Sequence, residues 1–286
     1  MRFLCLHGYA TCVDVLKEMM EPIIEHLPSH WEYEYLEADM ECSKLMIRKS
    51  YLRPQTFLAK LIVEFLATMD QIPPPNYSWH NYPHPEDVQN AYDRIVSFVE
   101  SEGPFDGVWG FSQGGAMAAL ILLVHQKSNP GGHDWPFRMA IFNSAFLPYR
   151  LDSGAITWSL KERDELQGTY EPGEFDASGG REVDWTNDPR TILDYLMIKR
   201  VQQNFDFPAQ LLLKYQPEDV SEKLTIPSIH VRGVKDEYFF VDDALSKMFD
   251  PDAAKMTHRG GHHFPRFPDE LVHFAELIIE TASTLP

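Results

Sequence analysis

The chain has 286 residues, 44% of them hydrophobic, and its 43 acidic and 25 basic residues give a formal net charge of −18 at pH 7. A chain of this length can bury a large core, so we expect residues 1–286 to form one domain. The acidic balance argues against nucleic acid or an anionic membrane as a partner, and no apolar run approaches the ~20 residues of a membrane span.

The first 36 residues predict a strand, a helix and a second strand. Residues 2–6 form an apolar run that ends directly at the turn His7-Gly8-Tyr9-Ala10. Apolar side chains recur at helical spacing over residues 13–27, and residues 31–36 alternate as a strand does. This order of elements is typical of an α/β sheet.

The periodicity weakens after residue 41, apart from a predicted helix over residues 57–69. Residues 73–83 are rich in proline and aromatic side chains. The whole stretch from residue 41 follows a strand end, so it should lie at the edge of the site. Residues 73–83 are therefore either an aromatic wall of a pocket or a packed surface loop. A helix is predicted over residues 85–102, with proline and two acidic residues in its first turn.

A candidate nucleophile lies at the centre of residues 110–114, which read Gly-Phe-Ser-Gln-Gly. Residues 105–109 before this motif predict a short buried strand, and residues 114–123 after it predict an apolar helix. Strand, tight turn and helix form the nucleophile elbow of the G-x-S-x-G pattern, which presents the serine hydroxyl at the top of a sheet. Ser112 is therefore the candidate nucleophile, and it requires a histidine base and an orienting carboxylate.

A long excursion follows the next predicted strand, residues 138–144. Residues 147–222 hold dispersed charges, aromatic residues and glycines, with a predicted helix over residues 189–203. An excursion of this size between two sheet strands is most simply a lid inserted at the carboxyl edge of the sheet. A passive surface insertion or a dimer contact is the alternative, which leaves a homodimer open.

The candidate acid is Asp236, in the loop after a β-branched strand over residues 226–233. This position is the carboxyl end of a sheet strand, the edge at which open α/β sheets build their sites. Three neighbouring acids remain as alternatives: Glu237, Asp242 and Asp243.

The candidate base is His262, in a loop after a predicted strand over residues 254–258. Gly260 and Gly261 allow a sharp turn that brings this histidine back toward Ser112. His263 is adjacent, and only spacing favours His262. The i, i+4 pair of His258 and His262 lies on a glycine loop without a helix to align the rings, so we expect no metal site.

Two backbone N–H groups are needed to stabilise an oxyanion in acyl transfer. Gln113, directly after the nucleophile, is the first candidate donor. Tyr9 is the second, because Gly8 lets the backbone turn its amide inward. We assign His7 to bracing this turn by hydrogen bonds.

The motifs at residues 6–9, 105–114, 236 and 258–265, taken together and in this order, resemble the FSH group of fungal serine hydrolases. The resemblance covers nearly the whole chain. It implies an α/β-hydrolase fold with a mostly parallel sheet covered on both faces, the last covering helix being residues 267–282. It also implies a catalytic triad of Ser112, Asp236 and His262. Members of the group include esterases and thioesterase-like enzymes encoded beside fungal polyketide synthases.

The expected activity is hydrolysis of a small-molecule ester or acyl thioester through an acyl-Ser112 intermediate, without a cofactor. The substrate class includes polyketide and fatty acyl chains bound to a carrier protein. An acyltransferase or cyclising enzyme with the same triad is one alternative, and a non-catalytic ligand-binding protein is another.

The cysteine content and the N-terminus bear on location. The chain has three cysteines, Cys5, Cys12 and Cys42. An odd number cannot all pair in disulfides within the chain, which favours reduced thiols. The N-terminus shows no basic region followed by an apolar stretch, so secretion is not expected. We therefore expect a cytoplasmic protein.

Overall fold

The computed structural model describes residues 1–42, 75–81, 83–131, 135–152, 156–157, 210–236 and 238–285. The helices expected over residues 57–69 and 189–203, and most of the insertion over residues 147–222, lie outside these residues. Within the described ranges, no helix has both the length and the apolar character that crossing a membrane requires.

The described elements alternate between strands and helices along the chain. The helices are α1 (Val13–Ile24), α2 (Pro85–Glu102), α3 (Gln113–Ser128), α4 (Phe239–Ser246), α5 (Pro268–Ser283) and a 3-10 turn at Pro217–Asp219. The strands are β1 (Arg2–Leu6), β2 (Glu32–Leu36), β3 (Met40–Glu41), β4 (Tyr77–Ser78), β5 (Gly107–Phe111), β6 (Met139–Asn143), β7 (Ile156–Thr157), β8 (Gln210–Leu211), β9 (Ser228–Gly233) and β10 (Ala254–His258).

Six strands form one parallel sheet in the order β10-β9-β6-β5-β1-β2. The central strands β5 and β6 are buried along their whole length, as strands covered on both faces are. The chain moves outward in one direction from β1 to β2 and in the other from β5 to β10. The carboxyl ends of β1 and β5 therefore flank the point at which the strand order reverses, where α/β sheets bind their ligands.

Two hydrophobic clusters cover the two faces of this sheet. Successive side chains of β1 alternate between them: Leu4 packs with α2 and α3, whereas Phe3 packs with α1 and α5. The prediction of a mostly parallel, doubly covered sheet is confirmed.

Strand β5 was expected over residues 105–109, but it begins and ends two residues later. The parallel pairing with β1 starts at Gly107, opposite Phe3, and a Cβ at Gly107 would lie 2.5 Å from the Phe3 ring. A glycine at this position permits a close strand contact, which the apolar pattern alone does not reveal. As a result, Ser112 follows the strand without an intervening residue.

Candidate active site

The nucleophile elbow forms where β5 passes directly into α3. Ser112 has φ 53° and ψ −116°, a positive φ that non-glycine residues rarely adopt. The residues two positions before and after Ser112 must be glycine. A Cβ at Gly110 would lie 2.4 Å from Gly115 Cα, and one at Gly114 would lie 2.3 Å from Leu6 O. The small residues of the motif thus let strand and helix pass closely, which holds the serine in its strained conformation.

Three predicted side chains meet at this elbow. Ser112 Oγ lies 2.9 Å from His262 Nε2, and His262 Nδ1 lies 3.0 Å from Asp236 Oδ2 and 3.1 Å from Asp236 Oδ1. The carboxylate can only accept, so Nδ1 carries the proton and Nε2 is free to accept the proton of the serine. The structure therefore joins the three in one hydrogen-bonded chain.

The other predicted acids point elsewhere. Asp242 Oδ1 accepts the Ala145 N–H at 3.2 Å, and Asp243 pairs with Arg232 and Lys247 on the surface. Glu237 lies outside the described residues.

His263 also points away from the serine. Its Nδ1 donates to Phe264 O at 2.6 Å, and its Nε2 accepts the Gly261 N–H at 3.2 Å. His258 Nδ1 accepts the N–H of Gly260, the residue before Gly261, at 3.1 Å. Burial lowers the pKa of His258 to about 4 and also lowers that of His263, so both rings are neutral and able to accept at pH 7. The two rings thus shape the glycine loop that carries His262.

Among the described residues, Phe146, Tyr238 and Phe111 place aromatic rings around the His262 side chain, which is 5% exposed. Phe146 stacks on it at 5.4 Å, Tyr238 meets it edge-on at 5.1 Å, and Phe111 lies 5.3 Å away. Sequence analysis did not assign Phe146 or Tyr238 to the site. Their positions could have indicated it, because Phe146 follows the carboxyl end of β6 and Tyr238 lies two residues after Asp236.

Asp236 is held as an anion beside the imidazole. Burial raises the pKa of this carboxyl, but the His262 ring and hydrogen bonds outweigh burial, and its pKa lies below the ordinary range. One of these bonds is the Tyr238 N–H, at 2.9 Å from Asp236 Oδ1. A carboxylate charged at neutral pH can orient the imidazole and stabilise an imidazolium.

The loops that carry the two predicted oxyanion donors lie beside the serine. Gln113 is the first residue of α3, so its N–H has no acceptor within the helix. A Cβ at Gly8 would lie 3.2 Å from Ser112 Cβ, which brings the peptide leading to Tyr9 beside the nucleophile. His7 braces this turn: its Nδ1 donates to Gly8 O at 2.8 Å, and its Nε2 accepts the Ala38 N–H at 3.1 Å.

Part of the aromatic stretch over residues 73–83 packs inside the protein. Trp79 and His80 are each 3% exposed and lie against Gln113. These two residues therefore belong to the buried surroundings of the elbow and are not on an exposed loop. Residues 73, 74 and 82 of the stretch lie outside the described part of the chain.

Within the described residues, no three His, Cys, Asp or Glu side chains converge as a metal site would require. His258 and His262 form the i, i+4 pair of the sequence, but their rings have different partners. The His258 ring binds the Gly260 N–H, and the His262 ring binds Ser112 and Asp236.

The buried Asp242 should make stability depend on pH. Burial raises the pKa of its carboxyl to about 7, against the lowering effect of Arg232. An unfolded aspartate has a pKa near 3.9, so between about pH 4 and 7 the folded state alone keeps the proton and rising pH favours unfolding. From pH 5 to pH 8 the loss in free energy of unfolding is on the order of 2 to 3 kcal/mol.

Asp242→Asn should remove this part of the pH dependence, since asparagine is neutral and can still accept the Ala145 N–H. Urea denaturation of both proteins at pH 5 and pH 8 measures the difference. An equal pH dependence in the two proteins would contradict the assignment.

Residues 1–273 match the protein family described as Serine hydrolase (FSH1). Hydrolase FUB4 of Fusarium oxysporum f. sp. lycopersici is 55% identical to this chain over 286 residues, the whole of both proteins. Hydrolase FUB4 of Gibberella moniliformis is 54% identical over the same extent. Esterase alnB of Emericella nidulans is 27% identical over 288 positions, covering 94% of this chain and 92% of the esterase. Similarity therefore extends along the full chain and is not confined to the nucleophile motif.

Proposed function

The chain belongs to the serine hydrolase (FSH1) family, and from that membership we propose that it cleaves a carboxylic ester or an acyl thioester through an acyl-Ser112 intermediate. The observation that carries the proposal is the hydrogen-bonded chain from Ser112 Oγ through His262 to Asp236. Its order, nucleophile to base to acid, is the one that acyl transfer by serine requires.

Each residue of the proposed site has a defined role in the reaction. Ser112 Oγ attacks the acyl carbon while His262 Nε2 takes its proton, and Asp236 stabilises the imidazolium that forms. The Gln113 and Tyr9 N–H groups stabilise the oxyanion of the tetrahedral intermediate. His262 then protonates the leaving alcohol or thiol, and water, activated by the same imidazole, releases the acid and restores Ser112.

The substrate we propose is an ester or thioester of a polyketide or fatty acyl chain, either a small molecule or a chain bound to a carrier protein. Support comes from the resemblance to fungal enzymes encoded beside polyketide synthases and from alnB, which is named an esterase. The aromatic rings of Phe146 and Tyr238 around His262 give the site an apolar border that suits an acyl group.

Matched substrates test the proposal. We expect kcat/KM to be higher for long N-acetylcysteamine thioesters than for the corresponding simple oxyesters, and both activities to disappear in Ser112→Ala. Initial rates over several chain lengths measure this. A preference for short oxyesters would favour a small-molecule ester over a carrier-bound chain as the substrate. A rate in Ser112→Ala within about tenfold of the native rate would overturn the mechanism.

An acyltransferase is a second candidate, favoured by the burial of Ser112, which is 4% exposed and so offers little access to bulk water. Product analysis with an added alcohol separates the two, because a transferase forms the new ester at the expense of the free acid.

We propose that residues 147–222 are an insertion that covers the site within a single domain. Its described ends come together, since Tyr149 pairs with Lys214 and β7 pairs with β8. Cytoplasmic location and a homodimer also remain proposals. Cys5, Cys12 and Cys42 are free thiols, as reducing conditions allow. Cell fractionation and sedimentation velocity test these two.

A further inference from the structure

Residues 77–80 connect the two loops that supply the proposed oxyanion donors. On one side they bind the turn after β1. The indole N–H of Trp79 donates to His7 O at 2.9 Å, and the Tyr77 N–H donates to Thr11 O at 2.7 Å. These bonds hold His7, directly before the Gly8-Tyr9 peptide, and Thr11, two residues after Tyr9.

On the other side, residues 77–80 bind the Gln113 side chain. Gln113 Oε1 accepts the Trp79 N–H at 3.0 Å, and Gln113 Nε2 donates to His80 O at 2.8 Å. A backbone donor and a backbone acceptor fix the orientation of the amide, because the reversed amide would face both with the wrong group. The residue that supplies one oxyanion N–H is thus anchored through its own side chain.

We propose that residues 77–80, with Trp79 at their centre, are a positioning segment that sets the separation of the Tyr9 and Gln113 N–H groups. The inference rests on the proposed function, in which these two groups stabilise the oxyanion. The donors belong to different elements, and stabilisation depends on both lying about 3 Å from one oxygen atom. A bridge bonded to both elements keeps that geometry before the substrate arrives, so none of it has to be formed in the transition state.

Ordinary core packing is the competing explanation, since Trp79 is buried and its ring lies 5.4 Å from the His7 ring. Trp79→Phe keeps an aromatic ring and removes the N–H that reaches His7 O, together with part of the buried indole volume, so a control with the same loss of volume is needed. Trp109→Phe is the matched control. Trp109 is equally buried, and its indole N–H donates to Asn143 Oδ1 at 2.7 Å and to neither of the two donor loops.

We expect Trp79→Phe to lower kcat about 10- to 100-fold with little change in KM, as for a misplacement of oxyanion donors. Affinity for a trifluoromethyl ketone, which Ser112 attacks to give a tetrahedral oxyanion, should fall by the same factor. Chain-length preference should stay unchanged. Trp109→Phe should lower the melting temperature to a similar extent and keep kcat within about threefold of the native value.

Gln113→Met provides a second variant, which keeps the backbone N–H and removes both side-chain bonds. If residues 77–80 act as one bridge, the double variant with Trp79→Phe should lose little more activity than either single one. Full additivity, unchanged ketone affinity, altered chain-length preference or an equal kcat loss in Trp109→Phe would each overturn the inference. The proposed function fails separately, through a rate in Ser112→Ala that stays within about tenfold of the native rate.

Discussion

Replacement of Ser112 by alanine is expected to lower kcat by about four to six orders of magnitude, which is the scale on which a triad nucleophile contributes. The variant lacks the oxygen that bonds to the acyl carbon, so no acyl-enzyme forms. The oxyanion donors and substrate binding remain, and these alone sustain a residual rate about 1,000- to 10,000-fold above that in water. Initial rates on the best substrate of the matched series measure the loss.

The fold should persist in this variant. Alanine meets the same backbone strain as serine at φ 53°, and the change removes only the bond from Oγ to His262. Circular dichroism and the melting temperature check this. A fluorophosphonate probe should add its mass to Ser112 in the native protein and leave the variant unlabelled. A rate within about tenfold of native, from a folded variant, would contradict the mechanism.

The parallel, doubly covered sheet and the position of the elbow could be predicted from the sequence. The strands that carry the site are short apolar runs, each followed by glycine or by a residue with chemistry, and parallel strands place such ends at one edge. The motif around Ser112 defines part of its own geometry, because the glycine at position 110 is required by its contact with Gly115 in the elbow. The glycine at position 114 is required by its contact with Leu6 O of β1. Membership of the serine hydrolase family, expected from these motifs, is confirmed.

The sequence alone could not decide between neighbouring candidates for the catalytic base and the catalytic acid. His262 and His263 are adjacent, and what separates them is a glycine loop whose N–H groups bind the His258 and His263 rings. Asp236 and Asp242 are both buried, and only the fold shows that one meets His262 and the other the Ala145 N–H. Spacing along the chain does not encode such contacts, because they depend on where loops from different strands meet.

The positioning segment shows the same limit at longer range. Trp79 lies 34 residues from Gln113 in sequence and 72 from His7. Its surroundings in the sequence indicate only a loop rich in proline and aromatic residues. The two hydrogen bonds that give it a role require the carboxyl ends of β1 and β5 to lie side by side, as they do in the sheet.

Asp236→Asn is expected to lower kcat by about 10,000-fold, since an amide in place of the triad carboxylate favours the wrong histidine tautomer. Asparagine presents both a donor and an acceptor to His262 Nδ1. When the amide donates, the imidazole proton moves to Nε2, the atom that must accept the proton of Ser112. The size of the side chain is unchanged, so the loss reports on charge and tautomer and not on packing. Rates at saturating substrate measure it.

Two matched exchanges decide whether Asp236 is the acid of the triad. Asp242→Asn removes a buried carboxylate that binds Ala145, and Asp243→Asn removes one that pairs with Lys247. Neither contacts His262, so kcat should stay within about tenfold of native in both. If either of them lost more activity than Asp236→Asn, the hydrogen bonds at 3.0 and 3.1 Å from Asp236 to His262 would not be those that orient the base. If Asp236→Asn alone loses activity, the charge on that carboxylate is what stabilises the imidazolium.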